Sequence, residues 1–166
     1  MVQLGWLLFD EYENELKREC YIVKPEGYTI PEGAVKVHGI TTDRALNEGI
    51  LLKTVLNNFL SGTAQAQCIL GHNVGFDIMV VDAEYKRMEL THDMHEKQVF
   101  CTMKHPTIID FCKLPNPYYP DSYKWPRLPE LHIKIFEQGY EEAHDALVDA
   151  KACAKCFFEL KRRGIV

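Results

Sequence analysis

The C-terminal stretch, residues 139–164, carries the periodic pattern that most limits what the chain can fold into. Small and apolar residues recur there in alternating steps of four and three, the spacing of one buried stripe on an α-helix. Basic residues followed by Gly164 mark its end, because cations suit the negative end of a helix and glycine suits a left-handed cap. The predicted stripe consists of Ala146, Ala150, Cys153, Phe157 and Leu160.

Three polar residues, His144, Asp145 and Asp149, stand at the front of this predicted helix. One interpretation is local: Asp145 caps the helix, and Asp149 is a solvated acid near its N-terminus. The other makes Asp149 a metal ligand and His144 a group that takes a proton from water. Hard divalent cations prefer oxygen ligands, and histidine titrates near neutral pH. This second interpretation requires further acidic residues elsewhere in the chain.

Strand-like and helix-like patterns alternate along the 166 residues, a length that suits one domain with its own core. We therefore expect a single α/β domain over residues 1–166. A β-hairpin is predicted from two apolar runs near the N-terminus, and residues 25–49 are expected to be largely irregular because glycine and proline punctuate them. Strands are predicted at residues 2–9, 20–24, 67–70 and 98–103, and helices at 43–48, 51–60, 76–88 and 128–136, with the last helix within residues 139–164.

The composition bears on compartment and partners. No apolar run reaches the length of a membrane span, and the first residues lack a basic leader, so the expectation is a cytoplasmic protein without membrane association. Six cysteines are scattered, and the single C-x-x-C, at Cys153 and Cys156, lies inside the last helix, which disfavours a zinc or redox motif. A net charge of −5 disfavours broad clamping of DNA but allows a small acidic metal site that grips a few nucleotides.

A polar cluster, G-H-N-V-G-F-D at residues 71–77, follows the short apolar run at residues 67–70 and leads into a helix. The carboxyl end of a buried strand is where open α/β sheets carry their ligand sites. Asp77 lies in the first turn of its helix, as Asp149 does in the last one. The buried stripe of the Asp77 helix is predicted at Phe76, Met79, Val80 and Ala83.

Residues 115–126 form a loop rich in proline and aromatic residues. Aromatic side chains there have two possible roles: they stack on nucleic-acid bases, or they pack the loop itself. Packing is the more common role and is the expectation here. The aromatic residues are Tyr118, Tyr119, Tyr123 and Trp125.

Two motifs, H-N-x-x-F-D at residues 72–77 and H-x-A-x-x-D at residues 144–149, resemble those of the DEDDh branch of 3′–5′ exonucleases. This group contains the proofreading ε subunit of bacterial DNA polymerase III, RNase T and oligoribonuclease. V-H-G-I-T at residues 37–41 also resembles the segment ahead of that family's second motif, and the similarity spans nearly all of the chain. The resemblance implies a ribonuclease H-like fold, with a mixed sheet flanked by helices.

The resemblance also implies an activity and roles for particular residues. The activity is hydrolysis of phosphodiester bonds at 3′ ends of single-stranded DNA or RNA with two Mg²⁺ or Mn²⁺ ions. Asp77 and Asp149 match the metal-binding acids, and His144 matches the general base for the attacking water. The residues that match the substrate-contacting segments are His38, Ile40, Asn73 and Phe76.

One motif of that family has no counterpart. In that family, the D-x-E-T/S motif lies on a first central strand that precedes the hairpin. The acids at residues 10–13 do not replace it, because their spacing differs and they lie on a turn after the strand predicted at residues 2–9. Met1 is therefore interpreted as an internal methionine or as the start of a truncated gene. Without those two carboxylates, we expect weak or no catalysis by this chain and an interruption of the sheet.

Two further expectations follow from the interrupted sheet. An unpaired strand edge invites pairing with a second copy of the chain, which predicts a homodimer. A different class of function also stays open: a non-catalytic nucleic-acid-binding or interaction domain that keeps the fold without turnover.

Overall fold

The computed structural model describes residues 1–140 and 145–166, which form helices and short strands. A single 3₁₀ turn, Met94–Glu96, precedes the last strand. None of the described helices has the length and apolar character needed to cross a membrane. The strands are β1 (Gln3–Phe9), β2 (Glu15–Ile22), β3 (Cys68–Gly71) and β4 (Gln98–Cys101), and the helices are α1 (Glu32–His38), α2 (Thr42–Glu48), α3 (Leu52–Thr63), α4 (Val74–Arg87), α5 (Pro106–Cys112), α6 (Leu128–Phe136) and α7 (Ala146–Arg162).

The described strands form two separate two-stranded sheets. β1 and β2 make an antiparallel hairpin, in register from Gln3 opposite Ile22, with an irregularity after Leu8. β3 and β4 run parallel, and α4 lies in the connection between them, since parallel strands need a long crossover. The mixed α/β architecture is the predicted one, and the separation of the two sheets agrees with the expected interruption.

Helix α7 is the element that the two sheets share. It packs against β1 and β2 of the hairpin, against β3, and against α6. β1 approaches it closely at Gly5, where a Cβ atom would lie 2.7 Å from the backbone nitrogen of Leu147. The Gln3 side chain adds two hydrogen bonds: its Nε2 donates to Asp145 Oδ2 at 2.8 Å, and its Oε1 accepts from the Ala146 N–H at 3.1 Å. The hairpin thus fixes the front of α7.

The buried apolar residues fall into three clusters. One joins α5, α6 and α7; the second lies between α3 and α4; the third, beneath α2, includes Ile40. Their most buried members are Ile108, Leu131, Cys156 and Leu160 in the first, Val55, Leu56 and Tyr85 in the second, and Ile40 and Ala45 in the third.

Most predicted elements are present, but the predicted buried face of α4 is wrong and that of α7 is incomplete. On α4 the buried residues are Val74, Val81 and Tyr85, whereas Phe76 is 56% exposed and Met79 is 60% exposed. The helix begins at Val74, and Tyr85 directs its packing by donating a hydrogen bond to the Leu56 carbonyl at 2.7 Å.

On α7 the predicted single stripe is too narrow. Ala152, Ala154 and Cys156 are buried together with Cys153 and Leu160, because the hairpin covers one side of the helix and α6 covers another. Helix α1 lies within the segment expected to be irregular; it has no buried residue and ends at Gly39 in the left-handed conformation.

Candidate active site

Asp77 and Asp149 lie in the first turns of α4 and α7, as the sequence predicted. Both carboxylates act on the same buried group, the thiol of Cys153. Burial raises the pKa of this thiol to about 12, and the negative charges of Asp77 and Asp149 act in the same direction. Two acids that are far apart in the sequence therefore both lie close enough to Cys153 for their charges to raise the pKa of its thiol.

The junction between β3 and α4 positions Asp77. Asn73 occupies the left-handed conformation, with φ of 66°, so the chain turns sharply from the strand into the helix. Asparagine tolerates this conformation better than most residues. Burial raises the pKa of the Asp77 carboxyl to about 6, although the residue as a whole keeps contact with solvent. A carboxyl group held in this way gains from a nearby cation, which favours its ionised form.

His72 links three parts of the chain beside this junction. Its Nε2 lies 3.0 Å from the carbonyl oxygen of Pro126, and its Nδ1 lies 2.9 Å from Thr102 Oγ1. Because a carbonyl only accepts, Nε2 carries a proton. Burial lowers the pKa of His72. We assign it a structural role: it ties the ends of β3 and β4 to the segment ahead of α6.

Tyr140 contacts Asp149 and was not identified from the sequence. Its hydroxyl donates to Asp149 Oδ1 at 2.9 Å. Burial, together with this hydrogen bond, raises the pKa of Tyr140, so the hydroxyl keeps its proton for the carboxylate. Asp149 also lies one turn after the helix cap: Asp145 accepts hydrogen bonds from the N–H groups of Leu147 and Val148. The capping role proposed for Asp145 is thus confirmed, and Asp149 makes specific contacts in addition.

The other residues matched by resemblance have different surroundings. His38 is the last residue of α1, and its Nδ1 accepts from the Ile40 N–H at 3.1 Å. Ile40 is only 2% exposed and packs with Ile30 and Ala45, so its side chain lies in the core rather than on the surface. His144 lies outside the described residues.

Exposed aromatic side chains lie near the β3–α4 junction. Phe76 precedes Asp77 directly, and the His72–Pro126 hydrogen bond brings the residue before Pro126, Trp125, towards the same junction. Trp125 is 56% exposed, and the Lys104 ammonium lies 5.1 Å from the centre of its ring. Tyr118, Tyr119 and Tyr123 are exposed as well, so the expectation that these aromatic side chains pack the loop is not met.

The donor set at this site suits a hard cation. Asp77 and Asp149 offer carboxylate oxygens, the ligands that Mg²⁺ and Mn²⁺ prefer. Within residues 1–140 and 145–166, three histidine, cysteine or acidic side chains lie close enough to share a metal ion at Asp82, His92 and His95. No such group of three within these residues includes Asp77 or Asp149. The charge of two carboxylates balances one divalent ion but not two.

Comparison with known proteins identifies a related sequence. The DNA polymerase III subunit epsilon of Buchnera aphidicola subsp. Acyrthosiphon pisum (strain APS) is 27% identical over 131 residues, which cover 79% of this chain and 51% of that protein. The chain therefore spans about half the length of this relative.

Among solved structures, the fold is similar to that of Escherichia coli exonuclease I. In complex with a dT13 oligonucleotide, that protein superposes with a TM-score of 0.80 at 23% identity, covering 98% of this chain and 37% of the larger one. The complex with a dA16 oligonucleotide gives a TM-score of 0.78 at 24% identity with the same coverage. The family model RNase_T, described as "Exonuclease", matches residues 1–157. Since this match takes in nearly all of the chain and both acidic motifs, the chain belongs to the DEDDh family of 3′–5′ exonucleases.

Proposed function

We propose that this chain hydrolyses phosphodiester bonds at the 3′ ends of single-stranded nucleic acid with the help of divalent cations. The observation that carries the proposal is that Asp77 and Asp149, in the first turns of two helices, both raise the pKa of the buried Cys153 thiol, and that the exposed Phe76 directly precedes Asp77. Hydrolysis of a phosphodiester requires concentrated negative charge to hold cations and an adjacent surface that holds the nucleotide. This junction offers both.

Asp77 and Asp149 would hold the Mg²⁺ or Mn²⁺. When bound, such an ion polarises the phosphate and lowers the pKa of a bound water. The protein groups around it have separate tasks. Tyr140 donates to Asp149 Oδ1 and so holds that carboxylate in one orientation. The pKa of the Asp77 carboxyl is raised by burial although the residue as a whole is exposed, and a bound cation would favour its ionised form.

His144 is proposed as the base that takes a proton from the attacking water. Its neighbour in the chain, Asp145, is fixed as the cap of α7 and by the hydrogen bond from Gln3. The support for His144 is its place in the H-x-A-x-x-D motif at residues 144–149, directly ahead of this anchored residue.

Exposed rings are proposed to hold the terminal nucleotides. Phe76 is exposed directly ahead of Asp77, and Trp125 is exposed directly ahead of Pro126, whose carbonyl is hydrogen-bonded to His72. Stacking on such rings suits bases of any sequence. His38 and the backbone around Ile40, together with Asn73, are proposed to contact the end of the strand. The exonuclease I structures with dA16 and dT13 make single-stranded DNA the first substrate to test.

We further propose that residues 1–166 alone turn over slowly. Two carboxylates neutralise one divalent ion, whereas the two-metal mechanism places two ions close together. The second ion would then bind weakly. This would lower the rate of hydrolysis without preventing binding of the substrate.

The test is release of nucleotide from a 3′-labelled single-stranded oligonucleotide in the presence of Mn²⁺. The variants are Asp149→Asn and, as a matched control, Asp110→Asn, which removes an exposed carboxylate on α5. We expect slow, Mn²⁺-dependent release by the wild type and the control and none by Asp149→Asn. If all three proteins are inert, this chain is not a catalyst by itself.

A non-catalytic binding domain is the second candidate, and the exposed aromatic residues favour it because stacking needs no cation. Phe76→Ala and Met79→Ala remove exposed side chains from the same helix. Fluorescence anisotropy with a labelled oligonucleotide separates the candidates. The binding-domain candidate is supported if Phe76→Ala abolishes binding and Met79→Ala does not. It also requires that Asp149→Asn and EDTA leave binding unchanged and that no turnover is seen.

A further inference from the structure

A second polar cluster lies away from Asp77 and Asp149. It combines Asp82 of α4 with His92 and His95, which lie in and around the 3₁₀ turn between α4 and β4. Asp82 Oδ1 is 3.0 Å from His92 Nε2 and 3.3 Å from His95 Nε2. One ligand atom from each residue lies within 4.8 Å of the other two.

We propose that Asp82, His92 and His95 bind a divalent transition-metal ion of the Zn²⁺ type, with water as the fourth ligand. Zinc sites with three protein ligands use this mixture of imidazole nitrogen and carboxylate oxygen in a tetrahedron. Metal–ligand bonds near 2 Å place tetrahedral ligand atoms about 3.3 Å apart. The two distances from Asp82 Oδ1 are already close to that value. Imidazole ligands also favour Zn²⁺ over Mg²⁺, which prefers oxygen alone.

The core holds one of the two imidazoles in place. The His92 side chain is only 7% exposed, and its ring packs 4.7 Å from the ring of Tyr85. Tyr85 is itself fully buried and anchored to the Leu56 carbonyl. His92 therefore loses little side-chain freedom when it takes a ligand, which lowers the cost of forming the site.

The other two ligands complete the geometry. Lys86 Nζ lies 2.6 Å from Asp82 Oδ2 and so orients the carboxylate, while Oδ1 points to the imidazoles. The His95 side chain is 65% exposed, which leaves water free to reach the fourth position.

Binding requires one local rearrangement. His92 Nδ1 accepts a hydrogen bond from the Met94 N–H, so the proton of the neutral ring sits on Nε2. A metal ion at Nε2 moves that proton to Nδ1 and ends the contact with Met94. The contact measures 3.3 Å, at the long end of the range for hydrogen bonds, and its loss is a small cost.

The bound ion would connect the C-terminal half of α4 to the turn that leads into β4. Both elements border the β3–α4 junction: α4 carries Asp77, and β4 pairs with β3. We therefore assign the ion a structural role, as a link that holds the residues between α4 and β4 in place.

Cobalt spectroscopy tests this proposal without reference to nuclease activity. Metal-free protein is titrated with Co²⁺, and Zn²⁺ or Mg²⁺ is then added. Tetrahedral coordination by imidazole gives visible absorption that Zn²⁺ removes and excess Mg²⁺ does not. We expect this signal in the wild type and in Asp149→Asn, because the proposed active site takes no part in it.

Two histidine variants distinguish the cluster from other metal-binding groups. His95→Gln removes an exposed ligand with little effect on folding, and His105→Gln is the matched control, since His105 contacts Thr107 and Phe100 outside the cluster. Co²⁺ affinity is expected to fall roughly tenfold or more in His95→Gln and to stay unchanged in His105→Gln. The proposal is overturned if the wild type gives no tetrahedral signal, or if His95→Gln binds Co²⁺ as tightly as the wild type does.

Discussion

Individual side chains at the front of α7 are positioned by partners far away in the sequence. Gln3 of the hairpin bonds to both Asp145 and the Ala146 N–H. Tyr140 orients Asp149 across the segment that contains His144. The helix cap at Asp145 and the start of α7 thus depend on a contact with the N-terminal strand, and the proposed metal ligand Asp149 depends on Tyr140.

Asp145 makes this arrangement sensitive to acid. Burial alone would raise the pKa of Asp145, but hydrogen bonds from Gln3 and from the Val148 and Leu147 N–H groups outweigh it and lower the pKa below the usual 3.8. A carboxyl group with a lowered folded-state pKa stabilises the protein fully above its unfolded-state pKa. That contribution is lost as the pH falls through the folded-state value.

We therefore expect the free energy of unfolding to fall as the pH drops below about 4, and to fall less steeply in Asp145→Asn, which can still cap the helix. Urea unfolding at a series of pH values measures both slopes. Equal slopes for the wild type and the variant would show that Asp145 is not a source of the acid sensitivity.

At the scale of elements, the close approach of β1 to α7 determines where the last helix begins. Only a residue without a side chain fits at Gly5, because a Cβ there would lie 2.7 Å from Leu147 N and 2.8 Å from the carbonyl carbon of Ala146. The start of α7 carries Asp149. A shift of this contact would therefore move the proposed site as well.

Gly5→Ala tests this contact against Gly33→Ala, where a Cβ meets nothing within 4 Å. Crowding at Gly5 is expected to cost about 1–3 kcal/mol of stability. Gly33 lies within α1, and alanine there is expected to be neutral or to stabilise by up to about 1 kcal/mol. Urea unfolding measures both effects. A neutral Gly5→Ala would mean that β1 and α7 are farther apart than the structure describes.

At the scale of the whole molecule, the two small sheets are joined mainly through α7 and the apolar clusters. Each described strand has a single partner strand, so both sheets keep open edges. Open edges are templates for pairing with another chain. The homodimer predicted from the sequence stays a prediction, and it has a definite test.

Sedimentation velocity at increasing protein concentration is expected to show a dimer. Val99→Lys, which places a charge at an exposed position of β4, is expected to lower the dimer fraction because charged side chains protect sheet edges. Leu46→Lys replaces an exposed apolar residue on α2 and serves as the control. A protein that stays monomeric at every concentration would rule out pairing through these edges.

The sequence by itself determined the local elements and the family. The 3.6-residue spacing predicted α3 and α6, and short apolar runs predicted β1, β3 and β4, because these patterns depend on neighbours within a few residues. The cap at Asp145 and the two acidic motifs were equally readable. The motifs assign the chain to its family because their order and spacing are properties of the sequence alone.

The tertiary structure decided which faces of those elements are buried and what their side chains contact. Helical spacing predicted a buried stripe on α4 that included Phe76, yet Tyr85 and its contact with α3 turn Phe76 outward. His72 contacts Thr102, and Tyr140 donates a hydrogen bond to Asp149. No local sequence pattern predicts either contact. The spacing of apolar residues shows which residues share one face of a helix. Which face is buried depends on where the rest of the chain packs, and long-range contacts decide that.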